Sequence, residues 1–329
     1  RSLAMRPRLN VLVPGLAMKH MSGGPNTAIS IAYRLAALGV PVRFVSTNAP
    51  IDADSAAFWA HAQALAGTAN PLDNVELVDA SDRKIPFKIG ENDLFMATAW
   101  WTAQMAKYAI RHTRHEKFVY LIQDYEPILH PASTQYALAE ETYRLDMVPV
   151  VNTSLLAEFL VSHQVGRFSD PDFARRTLAF EPAVDKTQFY FDGQSERRSA
   201  KRRLLFYARP TNGLRNLYEM GVAALQKLLA DGALSAAEWE FVGMGEKFEP
   251  VPLGHGGVLV PAPWLGFEGY ARQMRESDVL LSLMLSPHPS YPPLEMAACG
   301  KPVVTTCYAN KTADRLAQIS GNIIAVDAT

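Results

Sequence analysis

Residues 286–306 read SPHPSYPPLEMAACGKPVVTT, and the punctuation inside this stretch decides how the chain around it folds. Pro292 and Pro293 lack the amide that a first helical turn leaves unpaired, Gly300 offers a left-handed stop, and Pro302 forbids continuation. The spacing predicts a helix over Pro293–Cys299 and a strand from Val303 to Thr306. The start of such a helix presents free N–H groups and the positive end of its dipole beside a turn bearing Ser, His and Tyr, which suits phosphate. Glu295 falls in the expected first turn. There it either caps its own helix or accepts hydrogen bonds from ligand hydroxyls, and the helix alone leaves both readings open.

Outward from this stretch the pattern is alternating strand and helix. Immediately upstream, Asp278–Leu283 is a buried strand that delivers the turn. Arg203–Ala208 reads as a strand, Arg209–Gly213 as a loop and Leu214–Leu229 as an amphipathic helix. Arg209 and Arg215 therefore flank a helix start, and guanidinium forks match phosphate oxygens. Residues 237–248, AEWEFVGMGEKF, give a strand ending in Gly243 and Gly245, a close-approach turn. Gly257–Val260 is a short strand, Leu265–Gly266 a loop, Tyr270–Ser277 a helix and Ile323–Val326 a last strand.

The first half has the same rhythm. Leu9–Val13 is an apolar strand followed by a glycine turn, SGGPNTAIS, and a helix to about Leu38. Gly23 and Gly24 permit close backbone approach, while Asn26 or Thr27 caps the helix or meets a ligand. No third glycine completes a dinucleotide fingerprint and no Lys-Ser/Thr completes a phosphate loop, so a plain tight turn remains open. Strands follow at Val42–Ser46, Val75–Val78, Asp93–Ala97 and Val148–Thr153. Trp100 and Trp101, on the expected strand-to-helix loop, either stack on a sugar ring or form core plus rim. Phe118–Gln123 runs into Asp124, Tyr125, Glu126 and Pro127, with His130 close behind. Ligands of open α/β sheets gather at strand carboxyl ends, so Asp124 and Glu126 are candidates for a base or for holding acceptor hydroxyls, with helix capping as the bland alternative. The polar stretch 192–203, DGQSERRSAKRR, has linker composition. The expected division is a first domain over 1–192, a linker over 193–203 and a second domain over 204–329.

Composition excludes several classes. At 329 residues and 48% hydrophobic content the chain can bury two cores. Its 32 basic and 33 acidic side chains give a formal charge of −1, so nothing global draws it to nucleic acid. Cys299 and Cys307 make no disulfide framework and no metal-like cluster with His. No run approaches the roughly 20 apolar residues of a spanning helix. The expected compartment is the cytoplasm.

The segments VLVPG, EPAVD, FYARP followed by RN, FVGMGE, LGF followed by Tyr, and PPLEMAACGKPVVT together resemble the family 4 glycosyltransferases of GT-B fold. YLIQDYEP, SLMLSPHPSYPPLEMAA and YANK are similar in wording to the bacterial surface-polysaccharide rhamnosyltransferases of WsaF type. The resemblance covers nearly the whole chain. It implies an α/β chain of two doubly wound Rossmann-like domains with parallel sheets facing a cleft. It further implies retaining, metal-independent transfer from a nucleotide sugar, dTDP-rhamnose, with no other cofactor. The acceptor would be a glycan or lipid-linked glycan, at the inner face of the membrane. By position, Arg209 matches the arginine that contacts the donor diphosphate. Leu214 stands where the family has a lysine, and Arg215 follows it. Gly243 and Gly245 match the glycine turn near the donor, and Leu265 with Gly266 the backbone that meets the base. Pro293, Leu294 and Glu295 match the donor helix, Glu295 being the second glutamate of an E-x7-E element that holds the ribose.

The first glutamate of that element falls at Pro287, which leaves His288, Ser290 and Tyr291 to meet the donor sugar. Loss of a carboxylate beside a 6-deoxy sugar is physically consistent, since the missing hydroxyl needs no acceptor. Asp124, Glu126 and Arg209 are the expected catalytic residues. Gly23, Gly24, Asn26, Trp100, Trp101 and His130 are the expected acceptor contacts. A GT-B nucleotide-sugar 2-epimerase and a non-catalytic nucleotide- or glycan-binding subunit are the alternative readings. A helix returning to the first domain is expected at the end of such a fold, and the sequence stops at Thr329 before one.

Overall fold

The computed structural model describes residues 7–191, 200–263 and 265–328. Its contacts divide the chain into two compact units between Glu181 and Pro182. That division precedes the polar stretch 192–203, of which residues 192–199 lie outside the described ones.

In unit 1, strands β1 (Leu9–Val13), β2 (Val42–Ser46), β3 (Val75–Asp79), β4 (Leu94–Ala97), β5 (Phe118–Ile122), β6 (Met147–Asn152) and β7 (Leu178–Phe180) form one sheet in the order β3-β2-β1-β4-β5-β6-β7. Every pairing is parallel. The connections carry helices α1 (Gly23–Ala37), α2 (Ala56–Ala66), α3 (Trp100–Ala109), α4 (Thr134–Thr142), α5 (Ser154–Ser162) and α6 (Pro171–Arg175). Parallel strands covered on both faces need no alternation, and β1 and β2 are buried at all their positions. Val11, Ile29, Tyr33, Phe44 and Phe58 make the centre of the core on the α1–α2 side. Phe58 meets Phe44 and Trp59 edge to face at 5.6 and 4.9 Å.

Unit 2 repeats the plan. Strands β8 (Arg202–Ala208), β9 (Trp239–Gly245), β10 (Val251–Gly254), β11 (Gly257–Pro261), β12 (Val279–Ser282), β13 (Val303–Thr306) and β14 (Ile323–Val326) pair in the order β10-β11-β9-β8-β12-β13-β14. Helices are α7 (Gly213–Asn216), α8 (Tyr218–Ala230), α9 (Phe267–Arg275), α10 (Tyr291–Ala298) and α11 (Ala313–Ile319). Gly221 is where α8 meets the sheet: a Cβ there would lie 2.2 Å from the Phe206 ring.

Three local features depart from the sequence expectation. The expected continuous helix over Leu214–Leu229 is broken, because Leu217 takes φ +49° and separates the single turn of α7 from α8. The expected all-parallel sheet gains an antiparallel edge, β10 against β11. His255 and Gly256, at φ +51° and +79°, turn that hairpin with the left-handed pair that matches strand twist. Helix α11, between β13 and β14, had no counterpart in the reading of the sequence.

Both sheets have a point where strand order reverses: between β1 and β4 in unit 1, and between β8 and β12 in unit 2. Connections on either side of such a point leave toward opposite faces, which opens a crevice at the strand carboxyl ends.

Candidate active site

In unit 2 the reversal point is bordered by Arg209, directly after β8, and by the loop 283–290 after β12. Arg209 Nε donates to Glu246 Oε1 at 3.1 Å. The other carboxylate oxygen of Glu246 accepts from the Thr211 amide at 2.9 Å and its hydroxyl at 2.6 Å. One acidic side chain thus clasps the whole 209–211 turn. Gly245, at φ +115°, permits this: a Cβ would sit 3.0 Å from Arg209 Cγ and from the Tyr207 ring. At Gly243 a Cβ would meet the Phe248 ring at 2.3 Å. The close approaches that these glycines admit are therefore to protein neighbours.

The short α7 places Arg215 against the loop on the other side. Leu285 N–H donates to the Arg215 carbonyl at 2.9 Å, and Asn216 Nδ2 to the Leu283 carbonyl at 3.4 Å. From behind, Thr306 Oγ1 accepts from the Met284 amide at 2.9 Å, and the fully buried Lys311 donates its ammonium to the Met284 carbonyl at 3.0 Å. Residues 286–290 are buried throughout. His288 N–H donates to Ser286 Oγ at 3.0 Å, and His288 Nδ1 accepts from the Ser290 amide at 2.8 Å. A backbone N–H only donates, so a neutral His288 ring carries its proton on Nε2. Tyr291 packs 5.9 Å from that ring, and Ser290 takes φ +71°, a strained value for a residue with a side chain. His288, Ser290 and Tyr291 are brought together at the head of α10, with Pro287 buried behind them.

Helix α10 begins at Tyr291, two residues earlier than expected, and ends before Gly300 at φ +70°. Pro293 falls in its first turn, Leu294 follows, and Glu295 lies in the second turn, so the capping alternative for that carboxylate is removed. Glu295 Oε2 instead accepts from the Tyr270 hydroxyl of α9 at 2.6 Å. Burial pushes the Glu295 carboxyl up to about 7, against the lowering effect of that hydrogen bond. Burial, and next the Glu295 charge, hold the Tyr270 hydroxyl well above its ordinary value. Gly266 is the N-cap of α9, and Leu265 leans over its first turn toward Gly269. Tyr270 has no role among the expected site residues; its i, i+4 step from Gly266 is the sequence signal that links it to the expected base contact.

In unit 1 the candidate residues group around the ends of β4 and β5. Gly23 and Gly24 form the first turn of α1, not a loop, and Gln123 Nε2 donates to the Gly24 carbonyl at 3.0 Å. Asn26 Oδ1 meets His61 Nε2 at 2.8 Å, and the Thr27 hydroxyl donates to the Gly23 carbonyl at 2.8 Å, so neither side chain caps α1. Trp100 and Trp101 are the first two residues of α3 and not loop residues, with rings 5.5 Å apart and nearly perpendicular. Trp100 Nε1 donates to His130 Nε2 at 3.1 Å, and Trp101 Nε1 to Asn48 Oδ1 at 2.9 Å.

Asp124 and Glu126 belong to a tyrosine network. Asp124 Oδ1 accepts from the Tyr125 amide at 2.9 Å, and its carbonyl from the Tyr143 hydroxyl at 3.1 Å. Glu126 Oε2 accepts from the Tyr120 hydroxyl at 3.2 Å. Burial first, then neighbouring charge, raises both tyrosines well above their ordinary values, so they stay protonated donors. The network holds the Asp124–Glu126 turn rigidly at the carboxyl end of β5.

Two sheets, each reversing its strand order at its centre, make the two Rossmann-like units of a GT-B fold. The chain belongs to the WsaF family: the WsaF N-terminal domain matches residues 8–154 and the WsaF C-terminal domain residues 202–329. An O-antigen biosynthesis protein, RfbC, of Myxococcus xanthus is 39% identical over 213 residues, 65% of this chain and 15% of that protein's length. The fold is similar to that of WaaG, a glycosyltransferase involved in lipopolysaccharide biosynthesis, with TM-score 0.60 and 15% identity over 97% of this chain and 86% of the other. It is similar too to an α,α-trehalose 6-phosphate synthase from Burkholderia multivorans, with TM-score 0.57 and 11% identity over 98% and 86%. Among the described residues no helix is long and apolar enough to cross a membrane.

Proposed function

We propose that the chain transfers a sugar from a nucleoside diphosphate to a glycan acceptor during assembly of a bacterial surface polysaccharide. The observation that carries this reading is the convergence at the β8/β12 reversal point: Arg209, the Arg215 turn bolted to Leu285, and the head of α10 with Glu295 behind it. The guanidiniums and the helix amides stabilise the departing diphosphate, where negative charge develops as the glycosidic bond breaks. Glu295 accepts from the ribose, and Leu265–Gly266 meets the base. Arg209 Nε donates to Glu246, so the guanidinium that meets a diphosphate is aimed by its protein neighbours.

The donor sugar is rhamnose, carried on dTDP. The supporting feature is the buried 286–290 loop, in which Pro287 stands at the position of the first glutamate of the E-x7-E element, so that no carboxylate is offered to a ring lacking one hydroxyl. Transfer is retaining and independent of metal: the acceptor hydroxyl attacks on the face from which the diphosphate departs, and the diphosphate oxygen takes the proton. Unit 1 binds the acceptor, with Trp100, Trp101 and His130 as the sugar platform and Asp124 and Glu126 orienting the hydroxyl. Gly23, Gly24 and Asn26 supply further acceptor contacts. The enzyme works in the cytoplasm, at the inner membrane face when its acceptor is lipid-linked.

The test is a panel of nucleotide sugars followed by nucleoside diphosphate release, with and without a surface-polysaccharide acceptor. Acceptor-dependent release, fastest with dTDP-rhamnose, is expected. Preference for a fully hydroxylated hexose donor overturns the sugar assignment. Release without any acceptor dependence overturns the transferase.

A further inference from the structure

We propose that Tyr270 is the positioning residue for Glu295, and that through it the turn expected to meet the base is coupled to recognition of the ribose hydroxyl. The inference rests on the donor-site reading above.

The geometry is a three-link chain. Gly266 caps α9, and its carbonyl accepts the Tyr270 amide at 2.9 Å. The Tyr270 ring is held edge-on to Phe189 at 6.0 Å and is one of the partly buried side chains packed on the core cluster that contains Met296 and Cys299. Its hydroxyl then reaches Glu295 Oε2 at 2.6 Å. Glu295 Oε1 makes no hydrogen bond among the described residues. A glutamate carries three side-chain torsions, and one short bond from a rigid ring selects a single orientation for both oxygens. The result is a carboxylate with one oxygen committed to the protein and the other kept for a ligand. A tyrosine serving only to satisfy a half-buried carboxylate would leave ligand discrimination alone. One that aims it would not.

The two roles separate by comparing dTDP with 2′,3′-dideoxythymidine diphosphate, which differ only in the 3′-hydroxyl, by calorimetry on the whole chain. For the wild type a preference of about tenfold for dTDP is expected, the size of one good hydrogen bond to a charged group. In Tyr270→Phe that preference falls to about twofold while affinity for the dideoxy compound stays within twofold. The double variant Tyr270→Phe/Glu295→Gln discriminates no less than Glu295→Gln alone, because both changes act on the same contact. Thermal melting reports whether each variant is folded. Should Tyr270→Phe be too unstable to assay, 3-fluorotyrosine at 270 keeps the ring and strengthens the donor, and the preference rises.

A folded Tyr270→Phe that retains the full preference overturns the positioning role and leaves the donor site standing. So does an unchanged preference with fluorotyrosine. A wild type that shows no preference at all overturns Glu295 as the ribose ligand, and this inference with it.

Discussion

Replacing Arg209 by alanine tests the centre of the proposed chemistry. Its side chain is 27% exposed and its partner Glu246 16%, so the pair is too wet to be a large stabilising term. Removing the arginine leaves Glu246 accepting from both the Thr211 amide and its hydroxyl, so no buried carboxylate is abandoned. The folding cost is therefore about 1 kcal/mol. The chemical cost is larger, because a guanidinium at the departing diphosphate acts where charge develops: about 2–4 kcal/mol, or about 30- to 1000-fold in kcat/KM. Arg209→Lys restores the charge but not the fork and falls between. The assay is initial rate of nucleoside diphosphate release across donor concentrations, beside a thermal melt of each variant. Turnover of Arg209→Ala near that of the wild type, with melting unchanged, refutes the assignment.

Gly300→Ala and Gly232→Ala share a left-handed backbone, yet only at Gly300 would the new Cβ strike a neighbour, Phe191 at 2.8 Å. Gly232→Ala is expected to cost about 1 kcal/mol and Gly300→Ala roughly twice that, read as the larger fall in melting temperature. Glu295 supplies a pH dependence. Its folded-state value, about 7, lies above the ordinary carboxyl range, so its contribution to stability is complete below about pH 4.5 and is lost as pH rises through 7. Recognition runs the other way: the dTDP preference over the dideoxy compound is expected to grow roughly fivefold from pH 6 to 8 as the acceptor gains charge. Tyr270, which donates to this carboxyl, and Cys299 beside it are both held above their ordinary values by burial and stay protonated over that range. A preference flat with pH removes the ionised carboxylate from the contact. Trp100→Ala is expected to raise the acceptor KM about fivefold and leave donor affinity unchanged, by isothermal titration.

The architecture was legible because a parallel sheet writes itself as unbroken apolar runs. Leu9–Val13 and Val42–Ser46 read as strands and lie at the bounds expected for them. What escaped depended on backbone signs or short elements. Nothing in Leu217 announces φ +49°, and the four residues of β10 include Pro252, which argues against a strand except at an edge. Within the candidate site, a strand end pointed to Arg209, the helix start after it to Arg215, and the resemblance to Glu295. The partners of Arg209 and Glu295, which are Glu246 and Tyr270, lie 37 and 25 positions away, and Lys311, which holds the neighbouring loop at Met284, lies 27 from its contact. Such pairings are set by packing of whole elements, and a single sequence does not display them.

The strand orders bear on how the chain is made. β1 is made before the other strands of its sheet yet lies in the middle of it, pairing Leu9 with Val42 on one side and with Leu94 on the other. The second of those partners is synthesised about 85 residues later, which at about 5–20 residues per second is roughly 4–17 s with one apolar edge uncovered. β8 repeats the situation in unit 2, flanked by β9 and waiting for β12. Each half therefore passes through a growing sheet with one edge of its first strand uncovered. The yield of soluble chain should respond to translation speed and to edge-binding chaperones more than to the stability of the finished fold.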